Sequence, residues 1–193
     1  MKLRRMCTAL LLSGLLLSCL SGCGSKTDEL RFGTGGTGGT YYAFGSALAP
    51  QLQNDTGSAV EVKVTTGSEA NLRLLQTGMV DLAIVQSDAL QYASKEDGAN
   101  YSAVAGLYTE ACQIVVTKDS GITSVAELAG KRVSIGELES GVTRNAEQIL
   151  MASGLTPDML QVSRLSFSDS AAAMERGEID AFFCTAGAPT NAV

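Results

Sequence analysis

The sequence contains no histidine and no tryptophan among its 193 residues. Without histidine, a Ser-His-Asp triad, a Cys-His nucleophile pair and an HExxH zinc site are all excluded. Proline is also scarce, with three residues, and aromatic residues make up only 5%. Hydrophobic residues reach 45% and charged residues 18%, a balance typical of a globular chain rather than a disordered one. The length suffices for one ordinary domain or two small lobes.

The chain begins like an export signal. Positively charged residues at 2–5 precede an apolar run over 9–17 that is short for a membrane-spanning helix. The run is followed by Leu-Ser-Gly-Cys, which resembles the bacterial lipobox. In that motif the cysteine is acylated and becomes the new N-terminus. The resemblance implies that Cys23 anchors the protein to a lipid bilayer and that 23–29 form a tether. An ordinary signal peptide with an incidental cysteine is the alternative.

Removal of residues 1–22 takes away three of the 14 basic residues and none of the 20 acidic ones, so the net charge falls from −6 to −9. An acidic protein without a basic patch is a poor partner for nucleic acid, whose phosphates need neutralising charge. We therefore expect a protein of the bacterial cell envelope, exported and lipid-anchored or periplasmic, that does not bind nucleic acid.

Two of the five cysteines, Cys112 and Cys184, lie beyond the predicted signal and lipidation site. Both occur in apolar runs that resemble strands, which predicts buried free thiols. A disulfide between them stays open at this stage, because the sequence does not supply the Cα separation that a disulfide requires.

Strand-like and helix-like segments alternate along the rest of the chain, which predicts an α/β fold with two lobes in series, 30–110 and 111–193. Pro50 is expected to kink or end the first helix, Ser68 is expected to cap the second, and a capping box at 124–127 is expected to open a short one. The predicted strands are 30–32, 60–64, 82–85, 104–107, 112–116, 132–135, 162–165 and 179–183, and the predicted helices are 41–52, 68–78, 143–153 and 169–176.

A glycine-rich loop, GTGGTG at 33–38, follows the first predicted strand and precedes the first predicted helix. It satisfies GxGxxG, the fingerprint of a dinucleotide-binding turn, but the acidic residue expected at the end of the second strand is missing, since that strand ends Val64-Thr65-Thr66. The loop nevertheless permits close backbone approach and offers N–H groups at a helix start, which bind a carboxylate as readily as a phosphate. A tight turn that binds nothing is the structural alternative.

Further blocks of sequence follow this loop in a characteristic order. They are FGTGGTGGTYY at 32–42, TGSEANLRLL at 66–75, DLAIVQSD at 81–88, DSGI at 119–122, GKRVS at 130–134, SGVTRNA at 140–146, GEIDAF at 177–182 and AGAPT at 186–190. Together they resemble the TAXI family of solute receptors for TRAP-type transporters. The resemblance implies a type II periplasmic-binding-protein-like fold, with a ligand cleft between two α/β lobes. Family members run on for about another hundred residues, so it also implies an incomplete second lobe and return to the first.

The same resemblance implies capture of a small organic anion, either a glutamate-like amino acid or a dicarboxylate, and its delivery to TRAP permease subunits, fused or paired. It implies no catalysed reaction, no cofactor and no metal. Two alternatives stay open, namely an exported dinucleotide-dependent oxidoreductase that uses the GxGxxG loop and a sensory ligand-binding lobe without a permease.

Candidate ligand-binding residues are chosen by what an anion requires, which is N–H and hydroxyl donors at helix starts and at the carboxyl ends of strands. Arg144 is expected to pair with a ligand carboxylate and Asp88 with a ligand ammonium; their alternatives are a surface ion pair and a helix cap. The full set is Thr37, Gly38, Gly39, Thr40, Tyr41, Gly67, Ser68, Gln86, Ser87, Asp88, Ser140, Gly141, Thr143, Arg144, Thr185 and Gly187.

Overall fold

The computed structural model describes residues 29–96, 101–188 and 190. The predicted signal peptide at 1–22, the lipidated Cys23 and all but the last residue of the tether lie outside the described residues. The described strands are β1 Leu30–Gly33, β2 Val60–Lys63, β3 Leu82–Ala83, β4 Ala111–Val116, β5 Arg132–Ser134, β6 Gln161–Ser163 and β7 Ala181–Ala186. The α-helices are α1 Thr40–Thr56, α2 Ser68–Gln76, α3 Ser87–Glu96, α4 Gly141–Ala152 and α5 Phe167–Glu175, with 3₁₀ turns at Val125–Leu128 and Pro157–Met159. Among the described helices, none combines the length and the apolar character that a membrane crossing requires.

The strands form two sheets that repeat the same winding. In the first sheet the order is β2-β1-β3 and all pairs are parallel. In the second sheet the order is β4-β7-β5-β6, where β5, β6 and β7 are parallel and β4 is antiparallel to β7. In each set of three parallel strands, the central strand is therefore the one that comes first in the sequence. This order differs from the 3-2-1 order of a dinucleotide-binding unit.

An equivalent arginine–aspartate ion pair holds the central strand in each of the two sheets. Arg31 on β1 binds the Asp81 carboxylate through its backbone N–H and guanidinium, and Asp81 donates its own N–H to the Arg31 carbonyl. Arg132 on β5 and Asp180 repeat every one of these contacts. The guanidinium of Arg31 lowers the pKa of Asp81, and that of Arg132 lowers the pKa of Asp180. The two lobes are thus built on one local plan.

The larger core lies in the second sheet, where β7 is covered on both faces. Phe183 packs with α4, whose buried residues Val142, Ala146 and Leu150 recur every four positions along one side of the helix. Phe182 faces the other way, into a cluster with Ala173 of α5. Burial on both faces explains why the first four residues of this strand, Ala181 to Cys184, are all apolar.

In the first sheet a buried amide joins the ends of two strands. Asn71 of α2 is fully buried, and its Nδ2 donates to the carbonyl of Thr34 at 2.7 Å and to that of Ile84 at 2.8 Å. These carbonyls directly follow β1 and β3. The hydroxyl of Thr65, beyond β2, donates to the same Thr34 carbonyl at 2.8 Å. A network of side-chain hydrogen bonds therefore links the carboxyl ends of the three strands.

Three sequence predictions about secondary structure are wrong. No strand forms at 104–107, where Val104 is 85% exposed, because an apolar run without a neighbouring strand has nothing to pair with. Helix α1 continues through Pro50 to Thr56, since Pro50 lies on the exposed side of the helix. Ser68 does not cap α2; its N-cap is Gly67 at a φ of 125°, a conformation that favours glycine.

The caps of the second lobe explain small shifts in helix boundaries. Ser140 accepts the Thr143 N–H at 3.2 Å and so starts α4 two residues before the predicted position. Ser166 does the same for α5 by accepting the Asp169 N–H at 3.1 Å. The capping box at 124–127 is confirmed, and it opens a 3₁₀ turn.

Both described cysteines are free thiols, as expected, but only one of them is buried. Cys184 is fully buried, and burial raises its pKa to about 12, whereas Cys112 is exposed. Cys112 lies opposite Thr185 in the β4–β7 ladder, and Cys184 lies opposite Gln113. Directly opposed residues share a face and adjacent residues do not, so the two thiols point to opposite faces of the sheet. This geometry rules out the disulfide that the sequence left open.

Replacing Asn71 with alanine should destabilise the first lobe, because two buried carbonyls lose their side-chain donor. We expect the free energy of unfolding to fall by about 2–4 kcal/mol, measured by urea denaturation. The control Asn54→Ala changes an exposed asparagine of α1 and should alter stability by about 0.5 kcal/mol or less. Equal effects of the two substitutions would contradict this role for Asn71.

Candidate functional site

A cavity of about 470 Å³ lies between the two sheets. The first turns of four helices, α1, α2, α4 and α5, contribute to its wall. Each of these helices follows a parallel strand, so all four begin at the carboxyl edge of a sheet. The first N–H groups of a helix have no partner within that helix, and the helix start carries a partial positive charge. The four helix starts in the cavity wall therefore present N–H groups and partial positive charge, which suit an anionic group.

The four helix starts differ in how their first N–H groups are satisfied. Helices α1 and α2 begin after Gly39 and Gly67, which supply no capping side chain, but the Ala70 N–H of α2 donates to the Glu139 carbonyl of the other lobe at 2.9 Å. In the second lobe, Ser140 and Ser166 each satisfy one N–H group. We expect the start of α1 to provide backbone donors to a bound anion.

The charged side chains of the described cavity wall are all acidic, namely Glu110, Glu137 and Asp169; no lysine or arginine belongs to it. Burial raises the pKa of Glu110 to about 7 and also raises the pKa of Glu137. Asp169 accepts the Ser166 hydroxyl at 2.7 Å within the cap of α5. The wall thus combines positive helix starts with two carboxyl groups, those of Glu110 and Glu137, that burial makes costly to ionise.

Tyr41 connects a helix start, that of α1, with one of these carboxyl groups, that of Glu110. Its hydroxyl donates to Glu110 Oε2 at 3.0 Å and lies 3.3 Å from the hydroxyl oxygen of Ser68. Burial and the nearby Glu110 carboxyl together raise the pKa of Tyr41, so it remains a neutral hydrogen-bond donor. Ser68 in turn accepts the Gln86 N–H at 2.9 Å.

The structure brings most of the sequence-predicted site residues to this cavity. Eleven of the sixteen line it: Thr37, Gly38, Gly39, Thr40, Tyr41, Gly67, Ser68, Gln86, Ser140, Gly141 and Thr185. Gly187 lies just outside the lining, where a Cβ atom would come within 3.6 Å of Thr40 Cγ2. Ser87, Asp88, Thr143 and Arg144 are not part of the wall.

Asp88 joins the two lobes instead of facing the cavity. Its carboxylate accepts Asn145 Nδ2 at 2.7 Å and the Ala89 N–H at 2.8 Å. Asn145 Oδ1 accepts from Gln86 Nε2 at 2.7 Å and from the hydroxyl of Thr185 at 3.0 Å. One asparagine on α4 therefore bonds two residues of the first lobe.

Arg144 lies outside the cavity wall and also makes a contact between the lobes. Its Nε donates to Glu69 Oε1 at 2.6 Å, and its guanidinium carbon lies 4.7 Å from the centre of the Tyr92 ring. A second pair, Arg73 with Glu139, crosses nearby at 2.7 Å. These pairs lie on the outer side of the contact between the lobes.

Two glycines allow the lobes to approach closely. A Cβ atom on Gly141 would overlap Gln86 Oε1, and one on Gly38 would overlap the hydroxyl of Ser168. Each glycine faces a residue of the other lobe. Glycine is favoured at these two positions because it lacks a side chain, and its N–H group is an additional donor.

Sequence reasoning missed the acidic part of the cavity wall. Glu137 was not among the predicted site residues, yet it follows β5 at the carboxyl edge of the sheet and lines the cavity. The rule that selected Gln86 after β3 could have found Glu137 as well. Glu110 gives no comparable signal, since it lies in a segment without regular structure before β4. The cap of α5, Ser166 to Ser168, was also missed.

A family model described as the NMT1-like family matches residues 32–193. The chain belongs to the NMT1-like family. Solved structures extend the comparison of this NMT1-like protein. The alkanesulfonate-binding protein SsuA from Xanthomonas axonopodis pv. citri, bound to MOPS, matches with a TM-score of 0.57 and 22% identity over 82% of this chain and 55% of the other.

Two further structures give a similar result. A binding protein component of an ABC phosphonate transporter from Pseudomonas aeruginosa has a TM-score of 0.62 and 15% identity, over 83% of this chain and 58% of the other. PhnD1 from Prochlorococcus marinus, in complex with methylphosphonate, has a TM-score of 0.58 and 14% identity, over 82% and 64%. The chain therefore spans between 55% and 64% of the length of these three proteins.

These matches confirm the predicted fold class. The NMT1-like protein has a type II periplasmic-binding-protein-like α/β fold with the cavity between two sheets. The narrower TAXI group is not distinguished by them.

The ion pair between Glu69 and Arg144 should couple the two lobes weakly, because both side chains are about one third exposed. A double-mutant cycle with Glu69→Gln and Arg144→Gln should give a coupling energy of about 0.5–1 kcal/mol in the free energy of unfolding. Arg164 and Glu147, whose closest N···O distance is 3.8 Å, form the control pair and should show weaker coupling. Equal coupling in the two pairs would contradict the assignment.

Proposed function

We propose that this NMT1-like protein is an exported solute-binding protein that captures a small organic anion between its lobes and delivers it to a membrane permease. The observation that carries the proposal is the convergence of four helix starts on one cavity of about 470 Å³. A ligand that bonds both lobes favours the closed arrangement, which a permease can recognise. No reaction is part of this function.

Two sources bear on the identity of the ligand. The sequence blocks favour a glutamate-like amino acid or a dicarboxylate, as in the TAXI family. The structural relatives are described as binding an alkanesulfonate, MOPS or methylphosphonate. Carboxylates, sulfonates and phosphonates share what a helix start recognises, an anionic group with several acceptor oxygens. We therefore propose a small organic acid and extend the test to all three groups.

The permease partner follows from the same reasoning. The ordered sequence blocks favour the TRAP type, with fused or paired membrane subunits, whereas one structural relative is described as a component of an ABC transporter. A neighbouring gene for a multi-span permease without an ATPase would favour TRAP. The absence of any permease gene would favour a sensory binding protein instead.

The lipobox resemblance adds a membrane anchor to the proposal. Acylation of Cys23 would hold the binding domain at the outer face of a membrane through the short tether 23–29. This arrangement suits a receptor that must meet its permease repeatedly, because tethering raises the local concentration of the partner.

The alternative of an oxidoreductase has less support. The strand order β2-β1-β3 is not that of a dinucleotide-binding unit, and the second strand ends without the acidic residue that would bind a ribose. The glycine loop is better explained by the anion site, since Gly38 and Gly39 lie at the start of α1 in the cavity wall.

Thermal denaturation of the purified protein should distinguish these functions. We expect the melting temperature to rise with L-glutamate, glutarate, taurine or 2-aminoethylphosphonate in a concentration-dependent way, because a ligand that binds only the folded state stabilises it. NAD is the comparison ligand and should have no effect. Stabilisation by NAD alone would overturn the proposal in favour of an enzyme.

Substitution of Gly141 should separate ligand binding from folding. A methyl group at this position overlaps Gln86 Oε1, so Gly141→Ala should disfavour closure and weaken binding of the stabilising acid roughly tenfold or more in calorimetric titration. The control Gly106→Ala adds the same methyl group where nothing lies within 4 Å and should bind normally. Adding Gln86→Ala to Gly141→Ala removes the overlap and should recover part of the affinity. Unchanged affinity in Gly141→Ala would contradict closure at this contact.

A further inference from the structure

We propose that Glu110 binds a cationic group of the ligand, so that the site selects organic acids that also carry a protonated amine. This inference rests on the proposed function and names the ligand class for the same cavity. It assigns a role in specificity to a residue that motif analysis did not find.

The position of Glu110 suits this role. It directly precedes β4, in the segment through which the chain passes from the first sheet to the second, and its side chain lines the cavity. Tyr41 at the start of α1 holds one carboxyl oxygen, Oε2, at 3.0 Å. Glu110 therefore lies beside a helix start that suits the anionic group of the same ligand.

Among the residues that the structure describes, the groups around Glu110 do not include a compensating cation. The titratable groups that influence it or are influenced by it are Tyr41 on α1, Tyr108 in the same segment, Asp88 on α3 and Cys184 on β7. Glu137 and Asp169 lie across the cavity. None of these groups can carry a positive charge, and no lysine or arginine lines the described wall.

A buried carboxylate without a cation is unstable, and the pKa of Glu110 expresses this. Burial raises that pKa to about 7 and the charge of Asp88 adds to the effect, while the Tyr41 hydrogen bond opposes it. A carboxyl group with this pKa is partly ionised at neutral pH. A bound ammonium would supply the missing charge and displace the proton.

The overall charge of the cavity supports the same ligand class. An anion without an amine would enter a wall that already carries three carboxyl groups. A ligand with both charges places its anionic group at the helix starts and its ammonium at a carboxylate, so each pole meets the opposite charge. The amine therefore determines whether the acidic wall opposes or favours binding.

The test uses three pairs of acids that differ only by the amine: L-glutamate and glutarate, taurine and ethanesulfonate, and 2-aminoethylphosphonate and ethylphosphonate. Calorimetric titration at pH 8 should show that the wild type prefers the amine-bearing member of the pair it binds by about tenfold or more. In Glu110→Gln this preference should fall below about threefold, because the amide attracts an ammonium far less strongly. Glu175→Gln, an exposed charge change on α5, should keep the wild-type preference.

The pH dependence provides a second readout that a structural role would not produce. Between pH 6 and pH 8 the wild type should bind the amine-bearing acid more tightly as Glu110 ionises, and the amine-free acid more weakly. Both trends should flatten in Glu110→Gln, whose fold is checked by its urea unfolding midpoint.

Three outcomes would overturn the inference. The first is a wild type that binds the amine-free member of a pair equally well, which leaves solute binding intact and removes the role of Glu110. The second is an unchanged preference in Glu110→Gln. The third is loss of the preference in Glu137→Gln alone. Failure of all six acids to bind the wild type would contradict the proposed function itself.

Discussion

The first N–H groups of an α-helix cannot be satisfied within that helix, and the cleft of this protein is organised around that requirement. In each lobe parallel strands place the following helix starts at one edge of the sheet, and the two edges face each other across the cavity. Much of the local chemistry follows from this arrangement. Glycines precede α1 and α2 of the first lobe, and serines cap α4 and α5 of the second.

The contact between the lobes is polar and depends on few residues. Asn145 bonds Gln86 and Asp88, and two partly exposed ion pairs lie beside it. Both large hydrophobic clusters belong to the second sheet, so none of that core is lost when the cleft opens. A contact of this kind permits relative motion of the lobes, and a ligand that bonds both sides can shift the balance between open and closed states.

Much of the fold could be predicted because the signals were local. Alternation of strands and helices, the Ser124 capping box and the glycine loop each specify a short piece of backbone. The strand predicted at 104–107 failed because apolar composition cannot reveal whether a partner strand lies alongside. The predicted position of Arg144 in the cavity was wrong for a similar reason. Its carboxylate partner, Glu69, lies 75 positions away in the chain, so the sequence does not reveal the pair. Glu110 could not be found because its place in the cavity wall depends on a contact with Tyr41, which lies 69 positions away in the chain.

The most direct test of the central claim is an NMR titration that follows backbone amide resonances as a stabilising organic acid is added. The account predicts that the largest shifts occur at the first-turn amides of α1, α2, α4 and α5, on both sides of the cleft. Shifts confined to one lobe, or to the outer surface around Arg73 and Glu139, would show that the converging helix starts do not form the ligand site.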